Sequence, residues 1–496
     1  MTGRAGPYAL LLLAVPFGSA SAQGYTARVD VRGQAVDFRG VQLDSVPVGS
    51  VITGPTGGPI SPDSIAVTCL AGAAFCSLYR PGPRREAVPV TTGIDLTMWG
   101  LGVSGLSLHG NGRLFADFGD NNAWPGSVPA GQLLEAYAQY DRKGLIGRLG
   151  RQTFTSRLGF TGFDGAWLLL EHLPANLQLG GYAGLGLADG VALPITSAAL
   201  NPFDEFQPSE RQLVAGGNLN WITPIAEARL DYQREVDRDT RNFVSERAAL
   251  SATVRPWRRV SIAGGTEYDF SYGWWGSSDI TASYTEPKIG LSAGARRYRP
   301  YFNLWTIWGA FSPVPYNAVN GSVSLHPITK LEVRARGERY WFDDTETNTP
   351  LVNEQDDGWR WSVGATYQLA NRLQADAGFA TDFGPGASSQ TWSGRLGYDP
   401  KENLRLSLDL GTLKRPLEFR FDDANLDWVG VRADWQVMGN LQLGAGAIRY
   451  SEDRNRPDNA AFSWDQTRID FRVTYSMSSG TEWAPLPPAR RLKTDR

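Results

Sequence analysis

Histidine, cysteine and methionine are scarce in this 496-residue chain, which holds three His, two Cys and four Met. So few imidazoles and thiols leave little from which to build a metal centre. No CxxCH run is present either, which excludes a c-type haem attachment. The patterns GxSxG, HExxH and the phosphate-cradling Gly-rich loop are all missing. His109, His172 and His326 lie far apart, so no nucleophile–base pair is indicated. No enzymatic activity, metal or cofactor is expected. Neither sign of charge dominates: 48 Lys and Arg stand against 51 Asp and Glu, a net charge of −3. That gives no basic stripe for a nucleic-acid partner. Beyond the first two dozen residues there is no long apolar run. The longest, Ala166 to Leu170, is flanked by Asp164 and Glu171, whereas a spanning helix needs about 20 apolar residues.

What is present begins with an address. Arg4 precedes the apolar run Tyr8 to Phe17, and Ala20-Ser21-Ala22 is a small-x-small cleavage site. Residues 1–22 therefore read as a signal peptide, with the mature chain starting near Gln23. The apolar run is too short to cross a bilayer. Export places Cys69 and Cys76 in an oxidising compartment, so a disulfide closing a small loop is the expectation. Glycine (56), Trp (17), Tyr (18) and Phe (21) are plentiful. Soluble-looking hydropathy behind a signal peptide, rich in Gly and aromatics, is what a transmembrane barrel produces, because only every second strand residue faces lipid.

Alternation is the main signal from Thr26 to Met477. In Leu331 to Trp341, Leu331, Val333 and Ala335 take one face; Glu332, Arg334, Arg336 and Glu338 take the other. Ala226 to Val236, Leu404 to Leu410 and Arg468 to Tyr475 repeat the pattern. A period of 3.6 cannot separate these residues; a period of 2 does. Short turns recur at Arg142-Lys143-Gly144, Pro174-Ala175-Asn176, Thr223-Pro224, Arg255-Pro256-Trp257, Glu286-Pro287-Lys288, His326-Pro327, Ala370-Asn371, Asp399-Pro400-Lys401 and Met438-Gly439-Asn440. Longer polar connections alternate with them. The spacing predicts an all-β fold over 23–477: one large transmembrane antiparallel up-and-down barrel of about 22 strands, range roughly 18 to 24, with short periplasmic turns and long extracellular loops. Tryptophans at strand ends, among them Trp99, Trp124, Trp221, Trp257, Trp341, Trp359 and Trp435, suit girdles at the two interfaces.

Two segments break this rhythm. Residues 39–86 read as a long loop carrying the Cys pair, with two roles open to it: a constriction of the pore or a cap over it. Residues 478–496 form a Pro-rich basic tail read as a periplasmic extension, available to contact the peptidoglycan or another envelope protein. The aromatic segment Arg297 to Tyr316 reads as a strand end plus a loop at the barrel mouth.

Strand parity places charge on the inward face, since an Arg or Lys facing lipid at the midplane costs about 2–4 kcal/mol. The expected pore-lining residues are Arg113, Arg148, Arg151, Asp164, Arg229, Asp231, Arg334, Arg336, Glu338, Arg432 and Arg472. With the two signs nearly balanced, no strong ion selectivity is expected. His109 falls on the same polar side and reads as a wall residue.

Within Leu145 to Leu170, Gly150-Arg151-Gln152 followed by Phe163-Asp164-Gly165 resembles the strand–loop–strand signature of alginate-export-type porins and related large outer-membrane channels. In that family a strand ending in GRQ passes into an extracellular loop and FDG opens the next strand. The resemblance implies a barrel that conducts an anionic polysaccharide or small solutes past arginines. Carried over residue by residue, it covers Arg148, Arg151, Gln152 and Asp164. The sequence departs from the family in its larger strand count and in its lack of a strong Arg excess.

The expected location is the outer membrane of a Gram-negative-type cell, with lipid and lipopolysaccharide around the barrel. The expected function is passive diffusion of small hydrophilic solutes, sugars or anionic saccharides included. A plug domain ahead of the first strand would mark an energy-coupled transporter, and here alternation begins at Thr26. The rival reading is a scaffold barrel whose lumen or tail holds a partner protein with little flux.

Overall fold

In the computed structural model, residues 24–54, 57–119, 131–142, 144–187, 212–299, 315–343, 357–384, 387–414, 423–455 and 464–480 are described. The 478–496 tail beyond Gly480 lies outside them, as do Trp124 and residues 300–314 of the aromatic segment.

The chain opens with β1 (Gly24–Pro47), the short pair β2 (Ile52–Thr53) and β3 (Pro59–Ile60), then β4 (Phe75–Ala87) and β5 (Pro89–Trp99). Next come β6 (Leu106–Asp117), β7 (Gly131–Arg142), β8 (Leu145–Ser156), β9 (Gly159–Leu173), β10 (Leu177–Gly186), β11 (Leu213–Ile222) and β12 (Ala226–Val236). The middle of the wall is β13 (Phe243–Trp257), β14 (Val260–Asp269), β15 (Trp274–Thr285), β16 (Ile289–Tyr298), β17 (Tyr316–Ile328), β18 (Leu331–Phe342) and β19 (Asp357–Ala370). The remainder is β20 (Leu373–Gly384), β21 (Ala387–Lys401), β22 (Leu404–Lys414), β23 (Asp423–Met438), β24 (Leu441–Asn455) and β25 (Trp464–Gly480).

Each barrel strand pairs antiparallel with its sequence neighbours, and β1 closes the ring by pairing with β25 from Gly24↔Gly480 to Val36↔Arg468. The result is a closed antiparallel barrel of 22 staves, an even number. Closure joins the first stave to the last, so the ring itself has no edge strand. At the seam Arg32 and Arg472 stand directly opposite, and their repulsion is offset by Asp30, which accepts a hydrogen bond from Arg32 and one of 2.8 Å from Arg472 Nε.

Leu230, Leu250, Ile280, Val319, Val363, Leu410, Val429, Val431 and Ile469 all remain exposed. They belong to the parity opposite the charges, so the outside of the barrel is an apolar belt. Trp221, Trp257 and Trp435 stand exposed at the rim of tight turns; Trp274, Trp275, Trp341 and Trp359 stand exposed at the other rim.

Three of the expected turns fall two or three residues early. Pro256, Pro327 and Pro400 lie inside β13, β17 and β21, each at an irregularity in the ladder, and the chain reverses just after them. Proline lacks an N–H and fits a strand end where the ladder is already interrupted.

Segment 39–86 is not a loop as the sequence pattern implied. β1 runs on to Pro47 and β4 returns from Phe75, paired from Val36↔Ala87 to Pro47↔Phe75. This two-stranded arm extends beyond the closed wall. Residues 48–54 and 57–74 fold back on one face of it, where Val46, Ile65, Val67, Cys76 and Leu78 form a small core. Cys69 and Cys76 are disulfide-bonded there. Arg80 holds this flap to the arm through Asp63 and Asp44, each at 2.7 Å. The hydrogen bond to Asp63 raises the Arg80 pKa above its ordinary value. Alternation is weak where RPGPRR faces a bulge between Arg39 and Val41, which conceals both strands in the sequence.

Candidate functional site: an in-folded hairpin

The inner face is identified by contacts that skip a strand. On a concave surface, side chains of next-but-one strands converge. Arg296 of β16 reaches Glu338 of β18 at 2.7 Å, and Arg432 of β23 reaches Asp470 of β25 at 3.0 Å. The charges share this face with Ser, Thr, Asn and Gln.

The sequence-predicted residues sit on it as follows. Arg113 of β6 hydrogen-bonds Gln132 of β7. Arg148 donates to Gln139 Oε1 at 2.7 Å and lies between the rings of Tyr137 and Trp167, 4.8 and 4.9 Å away. Arg151 and Asp164 form a two-pronged pair at 2.7 and 2.9 Å. Arg229 clasps Asp231, which is almost fully buried. Arg334 donates to Thr366 Oγ1 at 3.1 Å and lies 3.8 Å from Glu332. Glu338 is shared by Arg296 and by Arg360 at 3.4 Å. Arg432 bonds Asp434 as well as Asp470, and Arg472 bonds Asp30. These are local pairs spread round the circumference, not one cluster. His109 sits in the wall, with Nδ1 2.9 Å from Thr97 Oγ1, Nε2 3.3 Å from Glu135, and its ring 4.9 Å from that of Tyr137. No group of three metal-ligating side chains occurs among the described residues.

One region departs from a plain wall. β8 pairs with β7 only as far as Ala136↔Arg151, and β9 pairs with β10 only from Phe163↔Gly186. Between these points, Gln152 to Gly162 keep the ladder of their own hairpin, down to Ser156↔Gly159. The turn is just Arg157-Leu158. Its side chains and carbonyls, with those of Thr155 and Thr161 beside it, reach β12 to β15, three to six places beyond β9. Arg157 pairs with Asp279 of β15 and lies 3.7 Å from Glu267 of β14. Arg247 of β13 donates to the Leu158 carbonyl at 3.1 Å, Arg229 of β12 to the Thr155 carbonyl at 3.4 Å, and Thr161 to Gln233 of β12 at 2.9 Å. Only a hairpin tip bent into the barrel, passing over β10 and β11, can touch all of these.

The bend has a local cause. Gly150, Gly165 and Gly184 are cross-strand neighbours in β8, β9 and β10. Gly150 has φ +131°, and a Cβ there would lie 2.2 Å from the Ala136 carbonyl oxygen; one on Gly165 would lie 2.1 Å from that of Ala183. Only glycine lets three backbones approach so closely while the sheet turns. The folded tip is then held by apolar burial. Phe163 is fully buried against Tyr182 and Val214, with Phe154 and Trp167 beside them, and Leu158 is buried at the turn. Burying each such side chain contributes about 1.5–3 kcal/mol. The Arg157 guanidinium lies over Gly265, where a Cβ would be 2.6 Å from Nη1.

The GRQ and FDG motifs therefore flank a two-residue turn inside the barrel, not an extracellular loop. Arg157, Asp279 and Gln233 were missed as a set by sequence reasoning, because nothing local links positions so far apart. The one available signal was the tight turn Ser156-Arg157-Leu158-Gly159 on the rim where the other connections are long.

No family model matches the chain, and no curated protein matches it. Solved structures similar to it are outer-membrane barrels of distant sequence. A ferric enterobactin receptor, PfeA, in complex with BCV-L6 is 11% identical, with 92% of this chain and 82% of that one covered and a TM-score of 0.48. OccAB4 of Acinetobacter baumannii is 8% identical over 93% and 100%, with a TM-score of 0.38. OccD1 (OprD) is 9% identical over 92% and 98%, also at 0.38. Likeness at this level is one of fold alone.

Proposed function

We propose that this chain is a porin-like outer-membrane channel through which small hydrophilic solutes diffuse passively. The observation that carries the reading is the division of the closed wall into an apolar outer belt and a wet, charged inner face. A belt of exposed Leu, Val, Ile and Trp suits lipid, and an inner face of paired Arg and acid suits water. The β8–β9 tip is the constriction. It crosses the inside of the wall and narrows the space enclosed by 22 staves, a ring wide enough to need an obstruction. Pairing of most inner charges supports weak ion selectivity.

Single-channel recording of the full mature chain in a planar bilayer tests this. Steady open steps in KCl, with a reversal potential near zero under a salt gradient, are expected. A folded barrel that inserts but carries no current would overturn it.

A further inference from the structure

The hairpin tip covers one side of the inner wall, β12 to β15. The adjoining lining, from β15 to β21, holds a cavity of about 620 Å³. Its chemistry differs from the rest of the face. One transverse row reads Ser283, Ser292, Ser322, Arg336, Ser362 across consecutive strands, by the pairs Ser283↔Ser292, Ser292↔Ser322, Ser322↔Arg336 and Arg336↔Ser362. The next row toward the tight-turn rim carries Ser324↔Arg334. Short hydroxyl side chains leave room, and Gly290, Gly364 and Gly378 deepen the floor.

Charge is unbalanced here. Around the inner face Arg296, Arg395, Arg432 and Arg472 each touch a carboxylate, whereas Arg113 and Arg148 donate to glutamines. Arg336 is exposed to the cavity and makes no ion pair with an acid of the described residues. Arg334, beside it, is directed to Thr366 at 3.1 Å, with Glu332 no nearer than 3.8 Å. A guanidinium offers several donors and attracts an oxyanion; hydroxyls around it both donate and accept.

Resting on the channel reading, we infer that this lining is a solute-contact site for small oxyanion-bearing polyols, of which sugar acids are the simplest class. Arg336 takes the carboxylate, and Ser322 and Ser362, its direct cross-strand neighbours, bond the hydroxyls. Arg334 supplies a second positive charge one row away. Because the hairpin covers the neighbouring wall up to β15, solutes are directed past its edge along this lining and meet Arg336 in passing.

The test uses the full mature barrel in planar bilayers, with sodium gluconate as probe and sorbitol as its uncharged counterpart. In KCl, gluconate is expected to reduce the open current saturably, and sorbitol at equal concentration to have little effect. R336Q is expected to raise the half-blocking gluconate concentration, read against the variant's own open KCl current, ~5-fold, the loss of one charge-assisted contact at an exposed site. R336E is expected to abolish block. Native channels that conduct KCl but respond alike to gluconate and sorbitol would overturn this inference alone, as would R336Q blocked like the native chain. Absence of any KCl step would overturn the channel reading and this one with it.

Discussion

Arg157 at the tip of the β8–β9 hairpin is paired with Asp279 of β15, 122 positions further along the chain. No other strand pair in the wall needs this contact, since β8 and β15 are not neighbours. Its effect is to fix where the tip lies. Removing it by R157A strips the turn of its ion pair and of its contact with Glu267, which is largely buried. The tip is expected to loosen by about 1–3 kcal/mol, the cost of leaving partly buried polar groups unmet. Open-channel current should become noisier and larger on average, while the barrel's unfolding midpoint changes little. Spin labels at Leu158 and Ser277 would show the broadened distance directly. An unchanged distance distribution would show that apolar packing alone seats the tip.

The fold was legible because parity is enforced by energy. A one-residue slip would put Arg229 and Asp231 in lipid and Leu230 inside, so alternation revealed the staves and their inward residues. What stayed hidden were features that depend on contacts between distant strands. Arg157 and Asp279 look like ordinary polar positions until the sheet closes. The glycines at 150, 165 and 184 look like any strand glycines until register aligns them. The arm of β1 and β4 was obscured by RPGPRR, whose prolines interrupt the alternation that would have extended both strands.

The bend should be intolerant of side chains. A Cβ on Gly165 would lie 2.1 Å from the Ala183 carbonyl oxygen and 2.6 Å from Gly184 Cα, both backbone atoms that cannot swing aside. G165V is expected to cost about 2–3 kcal/mol or to force the tip out of the barrel. G110A, at a strand glycine with nothing within 4 Å of its would-be Cβ, is the matched control and should be neutral. Urea unfolding of both variants in detergent or lipid decides the matter; equal midpoints would refute the hinge.

Reduction should act on the arm alone. The Cys69–Cys76 bond, between residues seven apart, ties the flap over β1 and β4 to β4 itself. A loop this short is worth about 2–3 kcal/mol by chain entropy. In the C69S/C76S variant, proteolysis within residues 48–74 is expected to rise several-fold, with barrel stability and conductance unchanged. A conductance increase would instead make the arm part of the constriction.

The β12–β13 connection should hold its shape in mild acid. Asp237 accepts hydrogen bonds from the Thr240 N–H at 2.7 Å and hydroxyl at 2.8 Å, and from the Asp239 N–H at 3.1 Å. The Thr240 backbone bond is the largest cause of its lowered pKa. For a depressed carboxylate the stabilisation is fully present above the unfolded value, 3.8, and is lost as pH falls through the folded one. The turn should therefore persist at pH 5, and D237N should remove the acid dependence. Solid-state NMR of the labelled Asp237 carboxyl would read its titration; a midpoint above 3.8 would refute the claim.

The two faces of a strand should respond oppositely to the same charge. Leu250 of β13 is exposed on the outer belt, paired with Leu230 and Thr266. Thr253, three residues on, has the inward parity of Arg247 and Ser251 and stands opposite Glu227. L250R puts a cation into hydrocarbon near mid-strand and is expected to cost about 2–4 kcal/mol in lipid. T253R gains an acid neighbour and water, so its cost is expected to stay within about 0.5 kcal/mol. Refolding into lipid vesicles provides the comparison. Equal costs would mean that the outer belt is not in contact with hydrocarbon, and the membrane-spanning reading would fall. A large difference would tie the alternation in the sequence to the bilayer that enforces it.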